Sequence, residues 1–222
     1  MSGVRCLVSS SVKERAESLG IPIDIYCFDI AFDKMLEEKR AELEERGYSL
    51  DGCDIREGTR YEDSFFDRAA ERFGFKNYER ETQEIILGDI KRIMKSGGIL
   101  LIADMISPET SYEWMQTERR RKSIHTIGEE NAYHHVPTLD MWFEMLSKTG
   151  FEPNKDDVFH TLSYVKTQDW VNSKQMGKEG QEDMNDFLLS APEQARKDFN
   201  IRKEGELVRI DYPVSVIAAR SV

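Results

Sequence analysis

The sequence predicts an α/β fold, a wound sheet flanked by helices, and three observations carry that expectation. The first is the stretch Ile85–Ile106, IILGDIKRIMKSGGILLIADMI. Ile85, Ile86, Ile90, Ile93 and Met94 recur at three- and four-residue steps with Asp89, Lys91 and Arg92 between them. That is the period of a helix with one buried face. Lys95-Ser96-Gly97-Gly98 stops the helix, because glycine enters the left-handed region without a Cβ penalty. Ile99 to Ala103 is a continuous apolar run, too short to span a membrane and typical of a strand buried on both faces. The second observation is the alternation of short apolar runs with amphipathic segments through the first half of the chain. The third is an acid where three of those runs end: Asp29, Asp54 and Asp104. Wound sheets bind ligands at the carboxyl ends of their strands. Acids there suit a ligand that offers hydroxyls or an amine, such as a nucleoside.

Taken in order, Val4 to Val8 is a short apolar run followed by Ser9-Ser10-Ser11. Ser11 is placed to cap a helix through Leu19, which Gly20 and Pro22 break. Ile23 to Phe28 reads as a strand ending in Asp29. A helix over Asp33–Arg46 follows, supported by acid–base pairs one turn apart and stopped by Gly47. Tyr48 to Cys53 reads as a third strand, ending in Asp54. Phe65 to Phe75 contains a fourth, although Arg68 and Glu71 are charges where a buried strand wants none. After Asp104 the character changes. Tyr112–Lys122 reads as helical and Ile124–Pro137 as irregular, with His125, Tyr133, His134 and His135 in or beside it. Leu139–Lys148 is a strong amphipathic helix ended by Thr149-Gly150. A helix through Met184–Leu189 precedes Ala191-Pro192. Val208–Ala219 is the last strand, and Pro213 marks an edge or bulge in it. There are no repeats and no linker, so the expectation is one domain over 1–222. Its first half, 1–108, would bind a cofactor; its second, 109–222, carries a helical insertion before the last strand.

The bulk numbers exclude some classes. The chain has 222 residues, enough for a real core, and a net charge of −11. An acidic chain gains nothing from a phosphate backbone, so nucleic acid is not expected as a partner. The one basic run, Arg119-Arg120-Arg121-Lys122, reads as a solvated helix face. Cys6, Cys27 and Cys53 form no CxxC pair, which suits core thiols in a reducing, cytoplasmic setting. No signal peptide, membrane span or anchor is expected. His125, His134 and His135 lack metal-ligand spacing, so no metal is expected either.

The residues also resemble a known family. KRIMKSGGILLIADM resembles the "RVLKPGG, buried strand, acid" signature of class I S-adenosylmethionine-dependent methyltransferases. YEDSFFDRAAERFGFKNY resembles a second stretch of that family, closest to the ubiquinone and menaquinone C-methyltransferases: Phe66-Asp67 matches its "FD", and Phe73–Asn77 lies close to its "FGLRN". CFDIAFDKM and DYPVSVIAAR resemble two more of its segments, and the matches run in family order from about Ile23 to the C-terminus. The resemblance implies a Rossmann-like class I methyltransferase sheet, S-adenosylmethionine as cofactor and a small-molecule acceptor. It further implies that Asp29 holds the ribose hydroxyls and that Ile30 and Met35 pack against the adenine. Asp54 would accept from the adenine amine with Ile55 beside it, and Arg72 and Phe73 would line the methionine end. Tyr133, His134 and His135 fall where the family closes over its acceptor.

One family feature has no counterpart. The glycine-rich turn after the first strand, whose backbone approaches the cofactor, is absent. Either Val4–Val8 is a shortened first strand with Ser9–Ser11 in place of the glycines, or the chain begins just after that turn and Gly3 is its remnant. The leading expectation is methyl transfer to a small organic acceptor. The alternative is a degenerate homologue, or a gene fragment, that keeps the fold, binds cofactor weakly or not at all, and serves as a partner subunit. A nicotinamide-dependent oxidoreductase ranks last, since it also wants the glycine fingerprint and leaves KSGG unexplained. A chain lacking a central strand could borrow contacts from a neighbour, which leaves a homo-oligomer open.

Overall fold

The helix–strand unit at residues 80–105 sets the frame of the larger part of the molecule. In the computed structural model, which describes residues 7–29, 32, 35, 37–128, 134–173 and 175–222, the chain divides into two units, 1–62 and 63–222.

In the first unit, α1 (Leu7–Ser18), β1 (Ile25–Phe28), α2 (Glu37–Glu45) and β2 (Tyr48–Asp51) follow in order. β1 and β2 are parallel, with Phe28 opposite Asp51. Ile25, Phe32, Leu43, Tyr48 and Leu50 form the core, and Cys27 and Met35 pack against it. The shortened-strand reading of Val4–Val8 is corrected here. Leu7 and Val8 open α1, and Ser9–Ser11 continue it. The serines therefore form no turn after a strand; Val4–Cys6 lie outside the described residues.

The second unit starts with β3 (Phe66–Arg72), α3 (Arg80–Ile93) and β4 (Met94–Met105). It continues through α4 (Tyr112–Ile127), α5 (Leu139–Lys148), β5 (Phe151–Pro153), β6 (Phe159–Lys166), α6 (Thr167–Asn172), α7 (Lys178–Leu189) and α8 (Glu193–Asp198). β7 (Arg202–Glu204) and β8 (Leu207–Ser221) complete it. The sheet order is β3-β4-β8-β5, with β6 and β7 also paired to β8. β3 and β4 are parallel, and β8 runs antiparallel to β4. Pro213, expected at an edge or bulge, follows the last β4–β8 pair, Met105 and Val214, and is flanked on both sides: its carbonyl accepts from the Ile106 N–H at 3.0 Å, and it pairs with Leu162 of β6.

α3 buries Ile86, Leu87, Ile90 and Ile93. Ile85, expected on the same face, is 61% exposed. β4, expected to be buried on both faces, is covered on one. Leu100, Ile102 and Asp104 are buried, but on the other face Leu101 is 42% exposed. Each apolar side chain buried here is worth roughly 1.5–3 kcal/mol. The charges in β3 also find their reason: among the described residues β3 pairs only with β4, and Arg68 lies in the open as an edge-strand charge should.

KSGG is a bulge of β4 in the β3–β4 ladder. Phe66 pairs with Met94 and Arg68 with Ile99, so residues 95–98 have no counterpart. Gly97 turns the chain at φ +77°. A Cβ on Gly98 would lie 2.8 Å from the Lys95 carbonyl and 3.1 Å from the Asp67 carbonyl. The Lys95 ammonium closes the bulge onto the Asp67 carboxylate at 2.9 Å.

α5 matches the sequence reading end to end, with Trp142, Phe143, Met145 and Leu146 buried. Residues 124–127, read as irregular, are the last turn of α4. β6 went unseen in the sequence because it has no core face to write a period of two: Phe159, Leu162 and Tyr164 are all exposed. Below β8 a second core joins Met115 of α4, Trp170 of α6, Met184 and Leu188 of α7, Phe199, Ile210 and Tyr212.

Candidate functional site

The carboxyl ends of β3 and β4 hold a buried polar cluster. β3 leaves the sheet at Phe73, a non-glycine residue at φ +60°, whose N–H donates to the Ala103 carbonyl at 3.0 Å. Such backbone strain persists only where the surroundings fix it. Here the Glu71 carboxylate does so, accepting from the Gly74 and Phe75 N–H groups. The Arg72 guanidinium lies over the Phe73 ring at 4.7 Å, and the Lys76 ammonium approaches the same ring at 5.2 Å. On β4, Asp104 accepts from the N–H of Lys76 at 3.0 Å and of Met105 at 2.7 Å. The two strand ends are thus tied through residue 76.

α4 supplies the other wall. Its basic run is not a solvated face: Arg119 is 5% exposed and Lys122 is half-buried, while Arg120 and Arg121 face out. Glu118, fully buried, accepts from the Tyr212 hydroxyl at 2.7 Å. Glu118 Oε2 and the Nε and Nη1 of Arg119 have no hydrogen-bond partner. The Lys122 ammonium sits 4.5 Å from the Trp170 ring centre.

Burial sets the protonation of this cluster. It pushes the Glu71 carboxyl up to about 8, helped by the Asp104 charge, and it raises Asp104 as well. It brings Lys76 down to about 8 against the pull of Asp104, and Lys122 down to about 7 with Arg119 adding repulsion. Tyr212 is pushed up by burial and by Glu118. The cause is the same throughout: a charge loses hydration that its neighbours only partly replace.

The histidines expected to face an acceptor are built into the fold instead. His134 contacts the Lys76 carbonyl through Nδ1 at 2.9 Å and the Ser123 hydroxyl through Nε2. His135 uses Nδ1 on Gln83 at 2.9 Å and Nε2 on the Tyr112 hydroxyl at 3.1 Å. Burial holds both rings neutral, at about 4. With both ring nitrogens of each engaged, neither ring offers a free one to a substrate. Tyr133, the third of that group, lies outside the described residues. His125 pairs with Asp183 at 2.7 Å and joins α4 to α7.

The remaining predicted residues lie in the first unit. Asp29 directly follows β1, and its N–H donates to the Asp51 carbonyl at 3.2 Å, so the parallel ladder runs up to it. Asp54 lies three residues beyond β2 and caps the short turn of Ile55–Glu57. Its carboxylate takes the Arg56 N–H at 3.0 Å and the Arg56 guanidinium at 2.8 Å, which holds its pKa below the usual range. Asp54 thus acts as a local cap for Arg56. The acid that ends β2 itself is Asp51, buried and paired with Arg60 at 3.1 Å. Ile55 is half-buried and Met35 rests on the core, while Ile30 lies outside the described residues. The fit to a nucleoside cofactor is thus partial. Asp29 follows a parallel strand, and Asp54 serves as a local cap for Arg56.

Among the described residues, no group of three or more His, Cys, Asp or Glu could hold a metal ion, and no helix is long and apolar enough to cross a membrane. Sequence reasoning missed Lys76, Glu118, Arg119, Lys122 and Tyr212. One signal was present: Met115, Glu118, Arg119 and Lys122 recur at helical spacing.

No protein-family model and no curated protein matches the sequence. The fold is nevertheless identifiable: it is the Rossmann-like fold of the class I methyltransferases. A Bacillus halodurans protein assigned as a methyltransferase superposes with a TM-score of 0.75 at 18% identity, over 95% of this chain and 88% of that one. The YcgJ protein of Bacillus subtilis superposes with a TM-score of 0.73 at 15% identity, over 88% of this chain and 81% of that one. An S-adenosylmethionine-dependent methyltransferase of Methanosarcina mazei gives 0.52 at 12% identity, over 95% and 86%.

Proposed function

We propose that this chain transfers the methyl group of S-adenosylmethionine to a small organic acceptor. The observation that carries the reading is the near full-length agreement of its fold with methyltransferase structures. Fold alone does not fix chemistry, so the residues must support the reading independently. In the first unit by itself, Asp29 at the carboxyl end of β1 is assigned to the ribose hydroxyls. In the second unit by itself, the Phe73 turn, held by Glu71 and flanked by Arg72, is assigned to the methionine end.

When bound, the cofactor supplies a methyl carbon already attached to a good leaving group. The chain therefore needs no nucleophile of its own; it has to orient the acceptor and exclude water. The buried cluster of Lys76, Asp104, Glu118, Arg119 and Lys122 is assigned to the acceptor end. The non-enzymatic alternative keeps the same fold and is told apart by whether the chain binds cofactor product.

Calorimetric titration with S-adenosylhomocysteine tests the reading. Binding is expected, and Asp29→Asn is expected to weaken it by about tenfold, the loss of a charged hydrogen-bond acceptor. An absence of heat at millimolar ligand refutes the proposal.

A further inference from the structure

Among the described residues, Arg119 is a buried charge left partly unpaired. It is 5% exposed, yet its Nε and Nη1 donors meet no acceptor. Tyr212 meets the guanidinium, but two of its three nitrogens stay unpaired, and a buried donor left unpaired is costly. The groups around it do not complete it. Glu118 is bonded to Tyr212 through Oε1 and leaves its own Oε2 unpaired, and Asp104 is engaged by two backbone N–H groups. Glu71 is held by the Gly74 and Phe75 N–H groups and, with its pKa near 8, is largely neutral at pH 7. His134 and Tyr212 are neutral as well. The basic side chains Arg119, Lys76 and Lys122, with Arg72 beside Lys76, thus face two carboxylates at most, Glu118 and Asp104; the Lys76 ammonium also donates to the Phe73 carbonyl.

We infer that Arg119, with Lys122 and Lys76, forms a seat for an oxyanion, a carboxylate or phosphate carried by a small ligand. Arginine suits an oxyanion because its charge is permanent and its donors are fixed in a plane. The lysines add a second property. Burial has lowered both, so an arriving anion pulls their protons back on. Anion binding is therefore coupled to proton uptake, and affinity falls as pH rises through about 7 to 8. Joined to the methyl-transfer proposal, on which this last step rests, the acceptor is a small organic anion.

The test titrates acetate, benzoate and inorganic phosphate separately into the full chain, with and without saturating S-adenosylhomocysteine. Heats are compared in two buffers of different ionisation enthalpy near neutral pH. At least one probe is expected to bind with net proton uptake, and the preferred probe tells a carboxylate seat from a phosphate seat. Arg119→Gln should weaken that probe about tenfold or more, and Arg119→Lys by less. Arg120→Gln, on the exposed side of the same helix, should leave it unchanged. No binding of any probe to the wild-type chain overturns the seat, as does binding without proton uptake or equal binding by Arg119→Gln. Anion binding without cofactor-product binding leaves the seat standing and removes only the methyl-transfer reading; the reverse removes only the seat.

Discussion

Single residues decide how the second unit closes. Gln83 is fully buried; the two hydrogens of its amide nitrogen are shared among the carbonyls of Phe75 at 2.9 Å, Tyr78 at 3.1 Å and His135 at 2.7 Å. Its oxygen meets the His135 ring. Gln83→Leu strands these groups without water and should destabilise the protein by roughly 2–4 kcal/mol, read from denaturant midpoints. Glu71 makes a pH-dependent contribution. Its folded pKa, about 8, lies above the ordinary 4.5, so between those values the native chain holds a proton that the unfolded chain has lost. That contribution is complete below 4.5 and fades as pH rises through about 8. Glu71→Gln keeps an acceptor for the Gly74 N–H and does not titrate. The wild type should therefore lose stability relative to Glu71→Gln from pH 5 to pH 8; a flat difference would exclude a buried, protonated Glu71.

At the scale of elements, the KSGG bulge and α5 are the parts whose structure follows from local chemistry. Gly98 has backbone oxygens where a Cβ would stand. Gly98→Ala should cost roughly 1–3 kcal/mol, because carbonyls rather than side-chain ends must move. If thermal melting shows no loss, the ladder accommodates the bulge more loosely than its geometry implies. α5 was legible because Leu139, Trp142, Phe143, Met145 and Leu146 write its buried stripe directly into the sequence. α4 was half legible. Its start at Tyr112 was read but its last turn was not, and its inward face is largely polar, so hydrophobic periodicity gives no sign of which side is buried.

For the whole molecule, the sequence reading and the structure agree on the α/β class and on the helix–strand unit at its centre. They part over the acids. Asp29 and Asp54 both lie past the carboxyl ends of parallel strands, as expected. Asp54, though, is taken up by Arg56, two residues away, as a local cap would be. Asp104 is buried inside β4 and holds the Lys76 backbone. A strand-end acid is visible in a sequence; the partner that consumes it is not.

What the sequence determined by itself was short-range: helix period, glycine turns and apolar runs, each fixed by residues a few positions apart. Tertiary structure alone decided the fate of the polar groups. Glu118 and Tyr212, 94 positions apart, share one hydrogen bond. Arg119 is buried beside groups from both sides of it in the chain, Lys76 and Tyr212. Burial of a charge depends on such distant neighbours, and no local pattern records them.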